Sequence, residues 1–166
     1  MKTDKNLAEA FSGESQANRK YLAYGEAAQK DGLPQVAKLF RAVAAAETIH
    51  AHAHLRAMGG IKATAENLKA AIAGEKYEFE EMYPGFVATA EQEGAKMAEL
   101  SMKRALDVEK VHHGLFTDAL ASVDAGKDLP EGRVYVCSVC GHTVVGGVPD
   151  QCPVCKAKAG KYTEIV

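Results

Sequence analysis

The sequence predicts a mainly α chain: four helices forming a bundle, then a small β module held together by metal. Three observations carry that prediction. The tetrapeptide Glu47-Thr48-Ile49-His50 recurs in pattern as Glu109-Lys110-Val111-His112, each inside an alanine-rich stretch with helical periodicity. Each of these stretches follows another amphipathic helix that carries carboxylates on its own apolar seam. All four cysteines are confined between Cys137 and Cys155.

The first helix runs from a cap at Thr3 or Asp4 to about Lys30, with Leu7, Phe11, Glu14, Asn18, Tyr21 and Gly25 on one seam. Asp31-Gly32-Leu33 stops it, and Pro34 suits the first position of the next helix. That second helix aligns Val36, Phe40, Val43, Glu47, His50 and His54, and Gly59-Gly60 ends it. The third begins near Thr64 and carries Leu68, Ala71, Glu75, Glu78 and Met82. Pro84 is expected to bend or interrupt it before Gly94. The fourth has Ala98, Met102, Ala105, Glu109, His112 and Phe116 on its seam. The helical domain is expected over 1–121 and a Gly/Pro/Asp linker over 122–133. A four-cysteine domain of short strands then covers 134–166.

Composition narrows the function classes. A chain of 166 residues accommodates one domain, or one domain plus a small module. A net charge of -2 gives no electrostatic reason to expect nucleic acid or an anionic membrane as partner. No apolar run reaches transmembrane length, and residues 1–6 lack the apolar core of a signal peptide, so the cytoplasm is the expected compartment.

On a helix, residues three apart share a face, so the Glu and His of each E-x-x-H reach one point. Glu14, Glu47, Glu75, Glu78 and Glu109, with His50 and His112, all fall on seams otherwise filled by apolar side chains. An ionised carboxylate there is costly unless paired or metal-bound. The bases of matching periodicity, Arg41 and Lys103, lie six residues before each E-x-x-H glutamate and point outside. Five carboxylates and two imidazoles without buried cations therefore predict a two-metal site, for which iron or manganese is better suited than zinc. The third helix offers both Glu75 and Glu78, one carboxylate beyond the usual set, which allows a ligand to exchange as metal charge changes. Tyr21, two turns after Glu14, is placed either to hydrogen-bond a ligand carboxylate or to fill the core. His54 is read as a polar residue toward the bundle end and His52 and His113 as exposed; His142 is given no role.

The pairs Cys137-x-x-Cys140 and Cys152-x-x-Cys155 supply four thiolates for a closed tetrahedral site. The spacing admits zinc or iron. A redox-capable pair of metals in the same chain makes an iron electron carrier the more useful occupant.

These residues resemble the rubrerythrin family. The quoted matches are Glu14 with Tyr21, Glu47-x-x-His50, Gly74-Glu75-Lys76-Tyr77-Glu78 continuing to Met82-Tyr83-Pro84, Glu109-x-x-His112 and both cysteine knuckles, across essentially the whole chain. The resemblance implies a ferritin-like four-helix bundle with a small C-terminal rubredoxin-like module, holding two iron ions and one four-cysteine iron. It implies Glu47 and Glu109 as bridging ligands, Glu14 and Glu75 as terminal ones and His112 on the second iron. Glu78 and His50 would exchange on the first iron, with Tyr21 and Tyr83 as supporting phenols. The implied activity is non-haem reduction of hydrogen peroxide to water in oxidative-stress defence. Electrons would come from rubredoxin or an NAD(P)H-dependent reductase. The implied assembly is a homodimer or larger homo-oligomer in which one subunit's four-cysteine iron serves the partner's di-iron site. The alternatives are a ferritin-like ferroxidase, for which an electron inlet has no purpose, and a zinc-ribbon interaction protein, which would show no redox response.

Overall fold

The computed structural model describes all 166 residues, and the chain divides into two compact units, Met1–Lys62 and Ala63–Val166. The first is a hairpin of helices α1 (Lys2–Lys30) and α2 (Pro34–Ala57). Helix α1 starts at Lys2, ahead of the Thr3 or Asp4 expected as its cap, and Asp4 lies in its first turn. Gly32 supplies the left-handed turn between the helices at φ +75°, a conformation that costs glycine little. Small residues let the two helices pack: Gly25 and Ala28 are buried on α1, and Ala37, Ala44 and Ala51 at seven-residue intervals on α2. The Asn18 amide fixes their register, donating to the Ala44 carbonyl at 2.7 Å and to the Thr48 hydroxyl at 2.9 Å.

The tightest approach is at Gly25, where an added Cβ would meet the Ala37 carbonyl oxygen at 3.4 Å and Phe40 Cβ at 3.5 Å. A methyl group fits at that distance, but a branched side chain does not. We expect Gly25→Ala to be tolerated, with helix propensity contributing up to about 1 kcal/mol in its favour. Gly25→Leu should cost about 1–3 kcal/mol by overpacking. Urea denaturation of the full chain checks the pair.

In the second unit, α3 (Thr64–Tyr77), a π-helical turn (Glu78–Met82) and α4 (Tyr83–Gln92) pack along α5 (Lys96–Asp124). The bend expected at Pro84 is resolved as this π turn. Proline has no N–H for the ordinary i→i−4 bond, and the Tyr83 amide bonds the Glu78 carbonyl five residues back. The extra residue in the turn brings Tyr83 round toward the side that carries Glu78. Helix α5 continues to Asp124 and stops before Gly126, at φ +70°.

Strands β1 (Val134–Cys137), β2 (Thr143–Val145) and β3 (Tyr162–Ile165) form an antiparallel sheet in the order β2-β1-β3. Pairing sets Val136 opposite Thr143 on one side and Thr163 on the other. The module's buried residues are Cys137, Cys152 and His142, so its centre is the cysteine cluster rather than an apolar core. No helix is long and apolar enough to cross a membrane.

Candidate metal centres

The residues expected to bind metal, apart from Glu78, gather into three clusters, one from the cysteines and two from the helices. Both cysteine knuckles turn the same way: the Gly141 amide bonds the Cys137 carbonyl at 2.8 Å, and the Lys156 amide bonds the Cys152 carbonyl at 3.0 Å. Gly141 and Lys156, each following its knuckle's second cysteine, have φ of 85° and 63°. The sulfurs lie 3.7 Å apart for Cys137 and Cys155 and 3.6 Å apart for Cys140 and Cys152. A tetrahedron with metal–sulfur bonds of about 2.3 Å has edges of about 3.8 Å, so the four thiols fit a single ion.

Burial opposes ionisation at Cys140, Cys152 and Cys155. At Cys140 it pushes the thiol up to about 12. At Cys152 burial is outweighed by hydrogen bonds from the Tyr162 hydroxyl and the Cys155 and Val154 amides, which bring the thiol down to about 6. The Tyr162 hydroxyl is also 2.8 Å from His142 Nδ1. His142, given no role from sequence, is thus a buried partner of the tyrosine beside the cluster. Burial, then the charge of His112, lowers its pKa.

Within the α1–α2 hairpin, Glu14, Glu47 and His50 form a triad whose ligand atoms all lie within 4.8 Å of one another. His50 Nδ1 is 2.9 Å from Glu47 Oε2 and 3.8 Å from Glu14 Oε1. In the second unit, Glu75, Glu109 and His112 form the equivalent triad. There His112 Nδ1 is 2.8 Å from Glu109 Oε2 and 4.0 Å from Glu75 Oε1. The i, i+3 spacing of each E-x-x-H produces the shorter contact, and a neighbouring helix brings the second carboxylate.

The second triad is unfavourable without a cation. Burial first, then the Glu109 charge, holds the Glu75 carboxyl above the ordinary range, and burial followed by Glu75 does the same to Glu78. Tyr83 is held above its usual value by burial, then by Glu78, Glu109 and Glu75, so its hydroxyl stays protonated among carboxylates. Tyr21 instead packs in an aromatic group, its ring centroid 6.2 Å from Phe40 and 6.4 Å from Tyr24.

The Thr143 hydroxyl lies 3.1 Å from both the Gly141 carbonyl and His112 Nε2, and Nδ1 of the same ring faces the Glu109 carboxylate at 2.8 Å.

Of the remaining basic groups, Lys103 lies outside, bridging Glu91 at 2.6 Å and Glu99 at 2.8 Å. His52 is exposed. His113, expected to be exposed, is half-buried and meets the Phe79 ring edge-on at 5.5 Å. Packing of the π-helical turn against α5 turns it under an aromatic ring that its sequence position does not reveal.

Carboxylate–imidazole triads on helices together with a four-thiolate module in one chain define a class: non-haem carboxylate metalloproteins with an attached rubredoxin-like domain. The rubrerythrin family model matches residues 5–120, and that for the rubrerythrin rubredoxin-like domain matches residues 135–163. Rubrerythrin-2 of Clostridium acetobutylicum is 38% identical, the alignment covering 94% of this chain and 92% of that protein. Nigerythrin of Nitratidesulfovibrio vulgaris is 33% identical over 97% of this chain and 85% of its own. The solved structure of nigerythrin in a partially reduced state aligns with a TM-score of 0.60 at 30% identity, covering 98% of this chain and 86% of that one. The chain belongs to the rubrerythrin family. It carries the Glu/His donors of a di-iron site and a four-cysteine rubredoxin-like site.

Proposed function

We propose that the protein is a non-haem di-iron peroxidase that reduces hydrogen peroxide to water with electrons delivered through its four-cysteine iron. The observation that carries this reading is the presence, in one compact unit, of a carboxylate–imidazole triad hydrogen-bonded to the four-thiolate module through His112 and Thr143. When bound, an iron pair supplies the two electrons that cleaving peroxide to two waters consumes, and a four-thiolate iron restores them singly. By the family pattern Glu47 and Glu109 would be the bridging ligands of that pair, Glu14 and Glu75 the terminal ones, and His112 a ligand of the second metal. Glu78 and His50 are the exchanging ligands. Tyr83 stays protonated beside these carboxylates. By the family pattern Tyr21 would be a supporting phenol, while its ring packs against Phe40 and Tyr24.

The reading divides the chain by chemistry into 1–121, a linker over 122–133 and an electron-inlet domain over 134–166. Rubredoxin or an NAD(P)H-dependent reductase is the proposed donor and the cytoplasm the proposed compartment. A homodimer or larger homo-oligomer is supported by exposed apolar side chains on the helices, among them Leu39, Ile49 and Met97 at 64%, 66% and 81% exposure.

The test is to reduce the purified protein without oxygen and add a small excess of hydrogen peroxide while recording the visible spectrum. Prompt return of a ferric-thiolate band is expected. A spectrum that stays colourless, with zinc in the cysteine site, would overturn the electron path.

A further inference from the structure

Three segments of the cysteine module converge on the Tyr162 hydroxyl. Strand register sets Tyr162 opposite Cys137, and the Ser138 amide bonds the Lys161 carbonyl at 2.8 Å, so the first knuckle fixes the start of β3. The Cys137 amide bonds the His142 carbonyl at 2.9 Å, which ties His142 to the same knuckle. His142 is buried; its ring meets the Tyr162 ring edge-on at 6.0 Å, and its Nδ1 lies 2.8 Å from the hydroxyl. The same hydroxyl hydrogen-bonds Cys152 of the second knuckle, a residue with 0% exposure. Outside the cysteine side chains, the other donors to that sulfur are the Cys155 and Val154 amides, which belong to the knuckle's own backbone. Tyr162 is therefore a donor carried on a side chain, at a sulfur that water does not reach.

We propose that Tyr162, held by His142, is a positioning residue of the four-cysteine centre: its hydroxyl donates to Cys152 Sγ and accepts from His142 Nδ1–H. A phenol has one proton to give, and a metal-bound thiolate can only accept. The hydroxyl proton goes to the sulfur, and Nδ1 supplies the proton of the 2.8 Å contact. His142, which follows the first knuckle, thereby sets the electronic surroundings of a sulfur in the second. A hydrogen bond to a ligand sulfur withdraws charge from it, which favours the more reduced state of an iron–thiolate centre. The inference needs only the four-cysteine site and stands apart from the peroxidase reading.

The first test uses the parent chain at full length, loaded with zinc. Long-range proton–nitrogen NMR correlation should show His142 protonated at Nδ1 and bare at Nε2. Protonation at Nε2 alone would overturn the proposal, because the hydroxyl would then have to donate to the imidazole. Tyr162→Phe keeps the ring that packs edge-on against His142 and removes only the hydroxyl. With cobalt(II) in the cysteine site, its sulfur-to-cobalt charge-transfer band should move to lower energy, since the sulfur gives up charge more readily. With iron there, the ferrous-to-ferric ratio at a fixed poise should fall about tenfold, a midpoint lower by about 59 mV. A band and a midpoint that match the parent's would overturn the effect on the centre. His142→Leu leaves the hydroxyl but removes its anchor, and both readings should move the same way by less. Movement in the opposite direction would overturn the role given to His142. The NMR result comes from the parent and decides the donor arrangement even where a substitution prevents folding.

Discussion

Stripping metal from the four-cysteine site is expected to unfold residues 134–166 while the helices persist. The three strands contain four, three and four residues, and the module buries only two cysteines and one histidine. So little apolar burial cannot offset the ordering of a segment of this length. A metal held by four thiolates supplies on the order of 10 kcal/mol of folding free energy in comparable small modules. The amides of Cys137 and Ser138, bonded to the His142 and Lys161 carbonyls at 2.9 and 2.8 Å, report the outcome. With metal they should exchange slowly, and after chelation at rates near those of an unfolded chain. Amides in the middle of α1 and α2 should be unaffected. Cys152→Ser should reproduce the effect, since it removes the sulfur whose surroundings best support a thiolate. Retained protection at Cys137 and Ser138 without metal would show that the strands hold themselves.

The cysteine cluster was legible because its signal is local: two C-x-x-C turns dictate two knuckles whatever surrounds them. Both triads were legible in part for the same reason, since i, i+3 spacing places Glu47 beside His50 and Glu109 beside His112. The features missed depend on contacts between distant residues or on a choice between backbone hydrogen-bond registers. Pro84 announced a perturbed helix, but its missing N–H is equally compatible with a kink, a break or the π turn that forms. Thr143 looked like one strand residue among several, and only the seating of its loop on α5 brings it to His112. His142 carried no periodic signal, and its burial follows from the Tyr162 hydroxyl across the sheet. Nor does seam periodicity say which helices share a compact unit. The division between Lys62 and Ala63 follows from packing rather than pattern.

Replacing Glu109 by alanine or glutamine is expected to abolish peroxide turnover, a loss of at least about a hundredfold, while leaving the four-cysteine chromophore in place. The carboxylate sits 2.8 Å from His112 Nδ1 and next to Glu75, so its removal deprives the triad of its closest oxygen. A residue kept for metal rather than for folding has a second signature, visible without metal. Burial and the Glu109 charge raise the Glu75 pKa in the folded chain above the value of 4.5 expected when unfolded. Between those two values the folded state binds more protons than the unfolded one, so stability must rise as pH falls through that window. The contribution is complete below 4.5 and is lost as pH rises through the raised value. Glu109→Gln removes the neighbouring charge, so its metal-free form should show a shallower rise than the parent on acidification and equal or greater stability at neutral pH. Urea denaturation of both metal-free proteins between pH 4.5 and 7 measures the difference. Lower stability of the glutamine variant at pH 7 would mean that Glu109 supports the fold, and inactivity of that variant could then no longer be assigned to a lost ligand.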